Sequence, residues 1–543
     1  MPFSKSPVMQ TYETKRISFV TNPQQRSADK TKDARMVNMM TEAVVSPLGD
    51  SKKYYVKSRA GLSQAFSNTA GEGRGLYYWV ISGVGYAITV IGNTVYSNGV
   101  SVLTLATSTG ECGFTEFVSS TGVVSLILLD GTNGYVFDTP TTYKQISTTS
   151  TQVWTASTVY ALTTVRRPTV DNGFVYVVTT AGTSSGTQPT WPTTAGNTVT
   201  DGSVVWTCQE FSFPSPHLPQ PIFIDAYLFV AKANSEDIYN SNLDDPLAWT
   251  PGDYISAEMY PDRIVALSRN NNYLYAIGNN SVEYFYDAAV ATGSPLGRHD
   301  SAVQQFGCAA PGTVVQTEKE VIFVGETTDG GHTVWTIDGF KEKEIGIPAV
   351  KSALLDEGAL LSSAQAFSIR VSSQKQYVIC LSKRTLVYSF DTQMWTEWQT
   401  GSDIFVGSQG FDGPTGSAYI LGRSDGKTYL MNESFYSDNG VPIQCIITTA
   451  KLDFDIINRK FMHRLTMVGD VPDDTLTDSN VSVQWSDDDY KTWSNARTLK
   501  FTGDLPSIFQ LGQFRRRAFK ISYSLPHLLR LEGMEVDINK GNA

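Results

Sequence analysis

"NNSVEYFYD", residues 279–287, is the stretch whose reading decides the fold. Two asparagines make a turn, Val, Tyr, Phe and Tyr suit a half-buried pleated surface, and a small polar residue closes the run. The same grammar returns in "NGYVFD" (133–138), "GHTVWTID" (331–338), "RTLVYSFD" (384–391) and "DGKTYLMN" (425–432). The closing residues Asp287, Asp338, Asp391 and Asn432 follow one another at 51, 53 and 41 positions. An irregular period of this size fits four-stranded propeller blades better than a sandwich. "IYNSNLDDPLAWTPGD" (238–253) and "VYSFDTQMWTEWQT" (387–400) add the Tyr-Asn/Asp-turn-Trp pattern of blade hairpins. The expectation is an all-β chain built on an irregular β-propeller of six or seven blades.

Working outward, 543 residues, 41% of them hydrophobic, suffice for two to four domains with filled cores. Thr, Ser, Val and Gly are the commonest residues, 26 Tyr add to the β-favouring mix, and helix-forming Ala/Leu/Glu/Lys runs are nearly absent. The rhythm breaks at 150–212, a Thr-rich stretch with Trp154, Trp191 and Trp206, which reads as a small inserted β-module. "FPSPHLPQP" (213–221) is a stiff return linker. The expected units are an N-terminal arm with opening strands (1–62), first blades (63–149), the module, remaining blades (213–440) and a C-terminal β-sandwich-like domain (441–543). One helix is predicted over 348–367, with Pro348 in its first turn and Gly358 interrupting it.

A net charge of −11 argues against a protein that grips nucleic acid by neutralising phosphates. An acidic wall would instead let DNA slide past without sticking. Five cysteines (Cys112, Cys208, Cys308, Cys380 and Cys445) at wide, irregular spacing imply neither a disulfide framework nor a zinc knuckle. "MPFSKSPVMQ" lacks the apolar core of a signal peptide, and the most apolar window (76–92), broken by glycines, reads as two strands rather than a membrane span.

The candidates for chemistry are few. "QWSDDDYKTWS" (484–494) sets three carboxylates between two tryptophans, as a sugar-cleaving site would. Ser486, Asp488, Thr492 and Trp493 nevertheless match an Asp-box turn, with Tyr490 where that pattern has Gly, and a local turn is the stronger reading. The histidines His217, His299, His332, His463 and His527 are scattered, and neither a nucleophile elbow nor a phosphate-cradling loop occurs; "GEGRG" (71–75) reads as a turn. The sequence therefore offers no catalytic, cofactor-binding or metal-binding residues. Arg515, Arg516 and Arg517 form the one dense basic run, to be read as a partner contact or a charged sheet edge. Trp154, Trp191 and Trp206 are either sugar-stacking rings or the module's core.

In the order of several stretches, "ARMVNMMTEAVVSPLGDSKKYYVKSRAGL" (34–62), "NNSVEYFYDAAVATGSPL" (279–296), "QFGCAAPGTVVQTEKEVIFVGE" (305–326), "TVWTIDGFKEKEIGIPAVKSAL" (333–354) and the closing "GQFRRRAFKISYSLPHLLRLEGMEVDI" (512–538), the chain resembles the tail nozzle, or packaged-DNA stabilisation, proteins of short-tailed bacteriophages. That resemblance implies a structural, non-enzymatic virion protein, made in the host cytoplasm and placed in the tail, without a cofactor. It implies six copies forming a ring below the portal and its adaptor, with tail fibres or tailspikes and a needle or plug as neighbours. Double-stranded DNA would be retained and later ejected through the lumen without specific binding. The rival readings are a tail-associated receptor-binding protein or a glycosidase acting on bacterial surface polysaccharide.

Overall fold

The computed structural model describes residues 12–19, 34–45, 52–290, 292–326, 330–371, 373–470, 480–501 and 506–541. The opening decapeptide and residues 46–51 of the first resembling stretch lie outside them.

Seven four-stranded units succeed one another, the last two within larger sheets: 73–104, 113–145, 222–256, 264–298, 315–344, 365–400, and 407–432 completed by 61–67. They are numbered here blades 1 to 7. Their first strands touch in sequence, and Gly407–Asp412 of blade 7 returns to Gly73–Ile81 of blade 1, so the ring is closed. Closure requires each blade to bury both faces, which makes central strands apolar along their whole length rather than alternating. In Val124–Leu129, Leu126 and Leu128 pack toward blade 1, while Ile127 and Leu129 pack toward blade 3. Comparable apolar clusters fill the interfaces between the other neighbouring blades. The repeated sequence signal is the third strand of a blade: Gly134–Thr139, Val282–Asp287, His332–Asp338, Thr385–Ser389 and Lys427–Asn432.

Blade 7 takes its outer strand from far upstream. Gly61–Ser67 pairs antiparallel with Lys427–Asn432. Gly61 is needed for this approach, because a Cβ there would lie 2.5 Å from the Ser437 carbonyl oxygen and 2.7 Å from that of Phe435.

The C-terminal region forms a two-sheet sandwich, and the described residues before 61 are part of it rather than a separate arm. One sheet orders Met39–Val45, Lys52–Ser58, Arg530–Lys540, Lys460–Gly469 and Ser507–Phe514, with Glu13–Ser18 also on Arg530–Lys540. The other contains Cys445–Thr448, Ala518–Tyr523, Asn480–Ser486 and Arg497–Lys500. Met36, Met39, Leu465, Val483, Phe519, Ile521 and Val536 lie in the core between them. Arg35–Val37 joins this second sheet to blade 6, antiparallel to Cys445–Thr448 and parallel to Met394–Thr400. The result is a continuous sheet of ten strands across both bodies.

The inserted segment carries its own four-stranded sheet and a two-stranded ribbon, with a core of Trp154, Tyr160, Tyr176, Val178 and Trp206. The predicted helix is shorter than its sequence pattern: Pro348–Leu355 is α-helical, Gly358–Ser363 is a 3-10 turn, and Gln365–Val371 is already the first strand of blade 6. Gly358 has φ +55, which ends the α-helix.

Candidate functional site

The three-acid stretch sits on a turn after the strand Asn480–Ser486. Asp488 Oδ1 accepts the Ser486 hydroxyl and the Thr492 N–H, each at 2.9 Å, and Oδ2 accepts the Thr492 hydroxyl. Those bonds, Thr492's foremost, hold its carboxyl down at about 2. Tyr490 occupies the glycine position of the pattern with φ +64, a conformation costing a side-chain-bearing residue about 1–2 kcal/mol. Its buried ring and the bond from its hydroxyl to the Thr449 carbonyl, 2.9 Å, offset that strain.

The flanking acids are engaged elsewhere. Asp487 takes two 2.7 Å bonds from the guanidinium of Arg517, which is buried over the rings of Phe514 and Trp485. Asp489 pairs with Lys451. The carboxylates thus serve three different partner sets: the local turn, Arg517 and Lys451. The cluster clasps one edge of the sandwich. Trp493 is half-buried beside Tyr490, with ring centroids 6.1 Å apart.

Of the basic run, Arg517 is interior and committed to Asp487. Arg515 and Arg516 are exposed in the turn before Ala518–Tyr523, so the three arginines do not alternate along a strand. In the module, Trp154 and Trp206 are buried, and both indole N–H groups donate to Asp201 Oδ2, at 2.7 and 3.2 Å. Trp191 packs against Tyr176 and Trp206, with centroids 4.2 and 5.7 Å away. A 60-residue unit needs these large rings inside, which leaves Trp154 and Trp206 no free face for a sugar.

Two features escaped the sequence reading. The first is the propeller axis. First strands of blades 2 to 5 line an open pocket of about 280 Å³, with Phe114, Gln220, Phe223 and Arg269 in its wall. Glu111, from the connection between blades 1 and 2, reaches within 3.6 Å of where a Gly312 Cβ would stand, at the start of blade 5. Burial there pushes its carboxyl up to about 7.

The second is the junction between propeller and sandwich. Arg59 is wholly buried and pairs with Asp438, whose side chain is 1% exposed, through Nη2–Oδ2 at 2.5 Å and Nη1–Oδ1 at 2.9 Å. It also donates to Asn38 Oδ1 (2.9 Å) and to the carbonyls of Ala60 (2.9 Å) and Gln399 (2.8 Å). Asn38, with φ +56, bonds the Gln444 carbonyl and the Gln399 N–H. Sandwich, blade 6 and blade 7 therefore meet on one guanidinium. A lone arginine in "VKSRAGL" (56–62) gives no local hint of a partner 379 positions away.

Among the described residues no group of three or more His, Cys, Asp or Glu is arranged to hold a metal. No described helix is long and apolar enough to cross a membrane.

A closed propeller bonded to a sandwich, with Asp487, Asp488, Asp489, Arg517, Arg59 and Asp438 engaged in internal contacts, defines a β-propeller protein with an appended β-domain. The chain belongs to the bacteriophage P22 Gp10 β-propeller family, whose model matches residues 24–411, and it is a phage structural protein of the DNA-stabilisation type. No curated protein matches it. Among solved structures, the Myceliophteria thermophila Cps50 (Swd1) β-propeller domain is similar over 68% of this chain and 99% of that one, at 6% identity and a TM-score of 0.28.

Proposed function

We propose that this chain is the tail nozzle, or hub, of a short-tailed phage. Six copies form a ring below the portal and its adaptor, retain the packaged DNA, and conduct it outward at infection. The family match over residues 24–411 carries this reading. The geometry supports one further element of it, the location of the bore. The pocket of about 280 Å³ against the first strands of blades 2 to 5 holds roughly nine waters at ~30 Å³ each, and Glu111 reaches from the blade 1–2 connection to the start of blade 5. B-DNA, whose major groove alone is ~12 Å wide, does not fit there. In this reading the DNA path lies between copies, with each propeller a stave of the wall. A net charge of −11 per chain suits a wall that does not bind phosphate. Fibres or tailspikes attach on the outside, and a needle or plug closes the far end. No observation favours the glycosidase reading, since the acids that suggested it hold the sandwich together.

Particles assembled without this chain test the proposal. They are expected to package DNA and then lose it, with retention restored when the chain is supplied. Full retention coupled to lost adsorption would sink the nozzle reading and favour the receptor-binding one.

A further inference from the structure

Where the inserted module meets blades 3 and 4, the surface opens into a cleft of about 470 Å³, within the ~300–1,000 Å³ of ligand pockets. Leu162 of the module, Leu243 of blade 3 and Val290 beyond blade 4's third strand form an apolar rim, 58%, 56% and 47% exposed. The lining also holds two acceptors that lack donors. Asn240 is 2% exposed; its amide donates to the Ser241 carbonyl at 3.0 Å, while its Oδ1 has no partner. The carboxylate of Asp253 has no hydrogen bond or ion pair among the described residues, and burial raises it to about 6.

Among the described residues no basic side chain lines the cleft. Arg166, on the module, acts on Asp245 instead. The hydroxyl of Tyr227, also in the lining, is pushed up by burial and then by the charges of Asp287, Asp253 and Asp244, so three acids converge on one place. Asp244 and Asp287 already accept backbone N–H groups, from Ser120 (2.6 Å) and Ala289 (2.7 Å). Asp253 remains open, with the unpartnered Asn240 Oδ1 buried in the same lining.

We propose that this cleft receives an arginine side chain from a partner protein. A guanidinium supplies what is missing: positive charge, a fork of donors for the Asp253 carboxylate, and an aliphatic stem for the apolar rim. A neutral sugar would supply donors but not the charge that the converging acids call for. The inserted module then serves as a docking jaw, whether or not the chain is a nozzle.

Saturation-transfer NMR on the full chain tests this with the peptide acetyl-Val-Arg-Leu-amide and its citrulline counterpart, which keeps the shape and loses the charge. The arginine peptide is expected to bind at least tenfold more tightly than the citrulline one. Asp253→Asn should weaken it about tenfold, whereas Asp138→Asn, at an exposed pair with Lys144 on blade 2, should change nothing. An unchanged thermal unfolding profile would show that Asp253→Asn is folded. Equal binding of the two peptides, binding that survives Asp253→Asn, or no binding of either would overturn the proposal. Binding of a monosaccharide in place of both would assign the cleft to saccharide instead.

Discussion

Asp438→Asn should be among the most damaging single-atom changes in the molecule. The side chains of Arg59 and Asp438 are 0% and 1% exposed. Removing the carboxylate charge strands a buried cation, which costs about 3–5 kcal/mol. Arg59→Met should cost a similar amount, because it leaves the carboxylate, Asn38 Oδ1 and the carbonyls of Ala60 and Gln399 short of donors. In the double variant Arg59→Met/Asp438→Leu no charge is stranded, so its loss should fall several kcal/mol short of the two single losses added together. The remaining acceptors, at about 1–3 kcal/mol each, keep it below wild type. The internal control is Lys57–Glu433, a 2.8 Å pair nearby on the same segment, whose acid is 49% exposed. Glu433→Gln should cost no more than about 1 kcal/mol. Denaturant unfolding followed by tryptophan fluorescence measures all four, and proteolysis near residue 441 reports separation of the sandwich from the propeller. If Asp438→Asn lost no more than Glu433→Gln, the junction would not be held as described.

Three further outcomes are expected. Glu111 is raised in the folded state, so between its unfolded value of 4.5 and about 7 the folded protein holds the extra proton and stability falls as pH rises. Glu111→Gln should therefore match wild type in urea at pH 4 and exceed it by up to about 3 kcal/mol at pH 8; equal midpoints at both would refute the burial of the acid. Asp201 accepts bonds from Trp154, Trp206 and both the N–H and hydroxyl of Ser185, so Asp201→Asn should cost the module about 3 kcal/mol and expose residues 150–212 to proteases while the propeller stays intact. Its carboxyl is raised by burial but lowered more by those donors, and the stability this lends should be lost as pH falls below the ordinary aspartate range. Gly61→Ala forces a Cβ onto the Ser437 carbonyl and should cost about 1–3 kcal/mol, with faster hydrogen exchange along Lys427–Asn432.

What the sequence disclosed is what repeats locally. A turn, an apolar run and a closing Asp or Asn mark third strands in five blades, because each must turn sharply on both sides of a strand buried on both faces. The corresponding strands of blades 1 and 3, Thr94–Ser97 and Asp237–Asn240, are only four residues long and carry a weaker signal. The Trp-rich insertion was visible as a change of rhythm. Pairings across the chain were not visible. Nothing in "GLSQAFS" (61–67) says that it completes a blade beginning at 407, and nothing in "RMV" (35–37) says that it links two bodies. The turn bonds of Asp488 are local and were legible in 484–494, whereas the cations that occupy the outer two acids, at Lys451 and Arg517, were not. The helix prediction ran on to residue 367 because Ala and Leu favour helix locally, whereas closing the ring required a strand from Gln365.

The most direct measurement is cryo-electron microscopy of the intact virus particle with symmetry tested rather than imposed. Sixfold density for this chain below the portal is expected, with DNA running between the propellers and none through their axes. Threefold density at the tail periphery, or a duplex threaded through a single propeller, would contradict the account.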